Sequence, residues 1–388
     1  MSCITPSVQN IQTTKFNLIQ NFYIIGFSPD DFFKINQKEK TGEFGDIFKE
    51  VISDMPKLNP KLITKFPNFK DSINSIPDDI VINHCFPKGV IEILKIQKDI
   101  DNKPNYFQFE LDNIPQNYPN EEQKLYSKIY FSCLEFNECI TEYFRYKKEI
   151  INVIFKTKSI KIINFDKNKP EGIDTEKKFS KFYIPKILCF ASVMPFYNEL
   201  NLILQNIYSY YLSRQDFASA PLEKIIEKII TMTPIPLKLG TAISINFKSH
   251  DKKAVQFPLC NINELNINYS ANMSLAEIFN YFVIDDIIRI FRYMLYEVPI
   301  LFFSSDKSIL SLFINTFLTV LSPFKYVCPH ISILPNNLFG LINSENKFIF
   351  GINQIYNENF FEENNLEVDK NMIIVSIIYD EKKKKIFR

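Results

Sequence analysis

Few side chains in this 388-residue chain are of the types that carry covalent chemistry, and their spacing is sparse. The histidines His84, His250 and His330 stand far apart, with no second His or Cys-Cys pair at metal-ligand spacing. His84 falls in an apolar run before Phe86-Pro87 and reads as a satisfied strand residue rather than a catalytic base. The seven cysteines (Cys3, Cys85, Cys133, Cys139, Cys189, Cys260 and Cys328) are odd in number, widely spaced and without a C-x-x-C pair. Cys85, Cys133 and Cys189 lie inside apolar runs, so they read as reduced core thiols of the cytosol, not as a disulfide frame or a zinc site. G-x-S-x-G, G-x-x-x-x-G-K-[ST] and G-x-G-x-x-G are all missing, and eight glycines leave little from which to build a phosphate-cradling loop. The adjacent carboxylates Asp285-Asp286 open a helix, where negative charge complements the helix dipole. The most suggestive group is Ser304, Ser305, Asp306 and Lys307, directly after an apolar strand, because ligands collect at the carboxyl ends of strands in α/β sheets. The competing reading of Asp306 is a plain helix cap. No catalytic residue, metal or cofactor is expected.

The elements that would position these residues follow from periodicity. Apolar runs predict strands over Phe22 to Phe27, Ile80 to Phe86, Tyr106 to Leu111 and Tyr126 to Phe136. Residues 29–78 read as loop with one short helix around Gly45 to Ser53, and Glu138 to Lys148 reads as a helix. Residues 166–178 (DKNKPEGIDTEKK) are dense in charge, with one Pro and one Gly, and mark a linker. Beyond them, Tyr183 to Ala191 predicts a buried strand and Pro195-Phe196 opens a helix to about Leu212. Pro221 starts another helix, with Leu222, Ile225, Ile226, Ile229 and Ile230 on one face. Helices follow over Ser270 to Val283 and Asp285 to Glu297, the second with an apolar stripe of Ile287, Ile288, Phe291, Met294 and Leu295. Pro299 to Phe303 is a short strand, and a helix runs from Asp306 to Ser322. Ile331 to Leu334, Phe348 to Ile352 and Met372 to Ile378 are further strands. Short, wholly apolar strands alternating with helices imply a largely parallel sheet buried on both faces; the first part suits a smaller mixed α+β domain.

Bulk properties narrow the function classes. Lys+Arg is 45 against Asp+Glu 44, a balance that makes no electrostatic case for nucleic acid or an anionic membrane. The abundance of Phe, Ile, Asn and Lys follows A/T-rich codons, so single residues of these types carry little weight. The opening MSCITPSVQN has neither a basic start nor an apolar stretch, so no secretory signal is expected. The uncharged run Ser308 to Phe324 holds Asn315 and Thr316 and ends beside Pro323, which favours a buried helix over a membrane span.

The order of segments resembles the DENN domain family. Pro185-Lys186, the strand after it, Ser192 and Pro195-Phe196 resemble the start of a central DENN module. Pro221-Leu222-Glu223 and Pro234-Ile235-Pro236 resemble its next helix and exit. Glu297, Ser304-Ser305, Pro323-Phe324 and Ile333-Leu334-Pro335 fall in the family's order, and FYIIGF, CFPKGV and CLEFNECI resemble landmarks of the upstream module. Tyr326 stands near the place of a usual Trp, and Ser344-Glu345-Asn346 replaces a usual P-x-P. The chain ends soon after Ile374 to Asp380, so the downstream module is expected to be short or missing.

The resemblance implies a longin-like α+β upstream domain over 1–165, the linker at 166–178, and a three-layer α/β central domain over 179–388. It implies exchange activity on a Rab-type GTPase, without covalent chemistry and without a cofactor. The chain would be cytoplasmic and peripheral on endomembranes through its partners. Ser304, Ser305, Asp306 and Lys307 are the candidate GTPase interface, chosen by strand-end topology. The alternatives are a DENN-like scaffold that binds a GTPase without exchange, and GTPase activation through an arginine such as Arg145.

Overall fold

The first sheet is built around central strands buried on both faces, and short unbroken apolar runs build the second. The computed structural model describes residues 17–27, 58–67, 75–92, 94–96, 103–113, 127–139, 181–212, 222–235, 242–246, 252–256, 275–321, 323–324, 326–367 and 371–377. The expected helix around Gly45, residues 140–148 of the expected helix Glu138 to Lys148, and the whole of the expected linker (166–178) lie outside these residues.

The first sheet contains β1 (Ile19–Gly26), β2 (Lys61–Phe66), β3 (Leu94–Ile96), β4 (Asn105–Asp112), β5 (Lys128–Cys139) and β6 (Lys181–Ser192). Its order is β2-β1-β6-β5-β4, with β3 also on β6, and every pairing is antiparallel. The strand that follows the expected linker is therefore a central strand of this sheet, between β1 and β5. The burial of β6 on both faces needs cover on both faces. Helices α2 (Tyr197–Leu212) and α3 (Leu222–Met232) supply it on one side, where Phe22, Phe190, Leu204, Ile207, Ile226 and Ile230 share one core.

On the other side lies α1 (Asp78–Cys85). The sequence predicted a strand here, and the structure corrects it. Pro77 precedes the helix, Asp78 and Asp79 occupy its first turn, and the buried residues Val81, His84 and Cys85 recur at i, i+3 and i+4. The β-branched residues Ile80, Val81 and Ile82 suggested a strand, but tertiary burial selected the helical period. The same kind of error hid β2, which falls in the segment read as loop and pairs along β1. Glu138 and Cys139, expected to open a helix, instead finish β5.

A two-stranded hairpin, β7 (Ala242–Asn246) with β8 (Lys252–Gln256), precedes the second sheet. Then come α4 (Leu275–Tyr281), α5 (Ile284–Leu295), β9 (Ile300–Phe303), α6 (Lys307–Val320), β10 (His330–Ile331), a 3-10 segment (Asn336–Asn343), β11 (Ile349–Ile352), α7 (Phe360–Glu363) and β12 (Ile373–Ser376). The second sheet has the order β10-β11-β9-β12 and is parallel throughout, as the apolar runs predicted. Strand β9 shows why. Ile300 and Phe302 enter a core with Phe313, Phe317 and Met294, while Leu301 and Phe303 enter a second with Phe339, Phe350 and Phe360. The described residues thus form a mixed α/β structure with a six-stranded antiparallel sheet, a four-stranded parallel sheet and a separate two-stranded antiparallel hairpin. Helix α6 joins them, packing against both β4 and β11.

Candidate functional site

The end of β9 is where sequence and topology placed the site, and its geometry is that of a joint. Ser304 continues the ladder by donating its amide to the Ile352 carbonyl at 3.2 Å. Its hydroxyl accepts from the Asp306 amide at 3.2 Å, and its side chain is 2% exposed. Asn353 donates to the carbonyls of Ser304 and Ser305 at 3.3 and 3.0 Å and holds the turn. Asp306 caps α6, accepting from the Ser308 amide and hydroxyl, each at 2.8 Å. The same carboxylate oxygen accepts from Asn105 on β4 at 2.9 Å, which ties the cap to the antiparallel sheet.

Lys307 goes further into that sheet. It is 7% exposed, donates to the Cys85 carbonyl at 2.9 Å and pairs with Glu135 at 2.9 Å. Its ammonium lies over the rings of Phe107 and Phe86, 4.7 and 5.4 Å from their centroids. Of the four sequence-predicted residues, Ser305 alone has an exposed side chain. The structure brings all four together, with their contacts directed mainly inward. Arg145 lies outside the described residues.

A second contact between the sheets joins Glu110 on β4 to His330 on β10, with Nε2 to Oε1 at 2.9 Å, and Lys128 binds the same carboxylate oxygen. Burial works to raise the Glu110 carboxyl, but the hydrogen bond from His330 and the charge of Lys128 outweigh it and hold it down at about 2. His84 is the reverse case. Burial lowers its pKa more than its hydrogen bond to the Ile80 carbonyl raises it, so it stays neutral as a core side chain.

Two features were missed from the sequence. The first is an apolar surface on α4 and α5. Only Ile290 and Met294 of α5 are buried, whereas Ile284, Ile288 and Leu295, together with Phe279, Val283 and Tyr296, are exposed. The predicted stripe counted Ile288 and Leu295 as core. Apolar residues occur around most of this helix, so periodicity could not say which face meets the core. The second is a gathering of Cys85, Cys133 and Cys189, whose sulfurs all lie within 4.8 Å of one another. Spacing along the chain gave no signal for it, because each thiol comes from a different element. Burial works against ionisation of Cys85, yet hydrogen bonds from Cys133 and Cys189 and the charge of Lys307 bring it down to about 5. Burial pushes Cys133 and Cys189 up. Among the described residues this is the one group of side chains placed to hold a metal.

Comparison with known proteins adds two observations. The family model for the DENN (AEX-3) domain matches residues 183–377. The protein "Elicitor of plant defense protein 1" of Verticillium dahliae is 26% identical over 136 residues, covering 35% of this chain and 11% of that protein. The chain spans about a tenth of the length of that curated relative.

Proposed function

Because this chain belongs to the DENN (AEX-3) domain family, we propose that it is a guanine-nucleotide exchange factor for a Rab-type small GTPase. The family match over 183–377 is the observation that carries the reading. In this reading a longin-like body on the antiparallel sheet, which takes β6, α2 and α3 from beyond the expected linker, and a three-layer central body on the parallel sheet hold the GTPase between them. Exchange needs no nucleophile, metal or cofactor. A factor that binds the nucleotide-free GTPase more tightly than the loaded one lowers the barrier to nucleotide release, since only differential binding shifts the equilibrium or the rate.

The exposed apolar row on α4 and α5 supports such a role, because large apolar side chains left in water on adjacent helices mark protein docking surfaces. At the strand end, Ser305 is the candidate contact, with Ser304, Asp306 and Lys307 holding its position. The proposed setting is the cytoplasm, with peripheral recruitment to endomembranes; no described helix is long and apolar enough to cross a membrane.

Release of labelled GDP from a panel of Rab proteins tests the reading. Acceleration of one or a few of them is expected, with Ile288→Asp slowing that release about tenfold, as loss of a central apolar anchor does. Ser305→Arg tests the strand end in the same assay. A chain that accelerates none and captures the GTP-loaded form over the empty one is a scaffold or effector, and the exchange reading then fails.

A further inference from the structure

Two thiols of the antiparallel sheet meet a third from α1 on the face that α1 covers. Cys133 on β5 and Cys189 on β6 are direct cross-strand partners, with their sulfurs 3.1 Å apart. Cys85, the last residue of α1, completes a triangle in which no pair of sulfurs is more than 4.8 Å apart. All three residues are fully buried. We propose that Cys85, Cys133 and Cys189 form a three-coordinate thiolate site for a single Cu(I) ion.

The geometry suits a metal. With metal–sulfur bonds of about 2.3 Å, three sulfurs around one ion stand about 4 Å apart. With the Cys133 and Cys189 sulfurs 3.1 Å apart and no pair beyond 4.8 Å, small rotations about the Cα–Cβ bonds bring the three donors to that spacing. Thiolate softness excludes magnesium and calcium and leaves Cu(I) and zinc as the common choices. The number of donors separates those two. Structural zinc takes four protein ligands, and zinc held by three keeps a position for water. Among the described residues no fourth Cys, His, Asp or Glu joins the group, and the burial of all three thiols closes the site to solvent. Cu(I) is satisfied by three thiolates alone.

Uptake leaves the copper oxidation state unchanged. Taken up during folding, Cu(I) leaves its acetonitrile or glutathione ligands and forms three Cu–S bonds, and each sulfur still protonated in the unfolded chain gives its proton to solvent. The buried ammonium of Lys307, bound to the carbonyl of Cys85 itself, stands beside the negative charge that the thiolates gather. The bound ion would tie α1 to β5 and β6 beneath the N-terminus of α6. It would be taken up as the chain folds, because the finished site has no opening to water.

The full chain, refolded anaerobically with the Cu(I)–acetonitrile complex and excess glutathione as competitor, is examined by native mass spectrometry and copper X-ray absorption. One copper per chain with three sulfur neighbours is expected, together with a higher melting temperature than the copper-free chain. Parallel refoldings with Zn(II) test the choice of ion. Cys189→Ala is expected to lose the copper, while Cys139→Ala and Cys328→Ala keep it. Should Cys189→Ala fail to fold, the sulfur count in the wild-type chain decides. Loss of all copper to glutathione by the wild type, fewer than three sulfur ligands, or retention of zinc but not copper would overturn the proposal.

Discussion

Glu110 shows how one side chain is used by several elements at once. It faces Lys128 on the neighbouring strand and His330 on the parallel sheet, and these two partners hold its pKa at about 2 against an ordinary 4.5. A carboxyl whose folded pKa lies below its unfolded one stabilises the fold fully above the unfolded value and loses that contribution as pH falls towards the folded one. Thermal unfolding of the wild type is therefore expected to shift to lower temperature as pH drops from 4.5 to about 2. Glu110→Gln removes the titrating group and flattens that interval. Parallel pH profiles for the two proteins would show that the contact between β4 and β10 contributes nothing to folding. None of this was legible in the sequence, where Glu110, Lys128 and His330 are three ordinary polar residues.

At the scale of elements, close approach matters most at Gly351 on β11. A Cβ there would stand 2.1 Å from the Ser332 carbonyl oxygen and 3.0 Å from Ile314 Cδ1. The contact at 2.1 Å is with backbone, which has no rotamer to yield. Gly351→Ala is expected to destabilise the chain by about 1–3 kcal/mol, read as a lower urea midpoint. That β11 is a strand was legible from its apolar run, and so was β9, since four consecutive buried apolar residues suit a strand covered on both faces. The cap at Asp306 was also legible, because Ser, Thr, Asp and Asn before an apolar periodic run start helices. Helix α1 and strand β2 were not. Short segments of β-branched and polar residues carry no decisive period, and neighbours in space settle their conformation.

Across the whole molecule, the two sheets are tied by Lys307 and Glu135. Replacing Lys307 with Met leaves Glu135 facing the interior unpaired, at an expected cost of about 3 kcal/mol. Lys307→Met combined with Glu135→Leu is expected to recover most of it, which a double-mutant cycle by chemical denaturation measures. Additive losses would mean that the pair is not what joins the sheets. The sequence by itself determined the elements with strong periods, the parallel character of the second sheet and the order of segments that leads to the DENN family. These depend on local apolar spacing, which survives in one dimension. Only tertiary structure decided that β6 belongs to the antiparallel sheet, that Lys307 points inward, that one side of α5 stays in water and that three distant cysteines meet. Each of these rests on which surfaces touch after folding, and contacts between residues far apart along the chain leave no period in it.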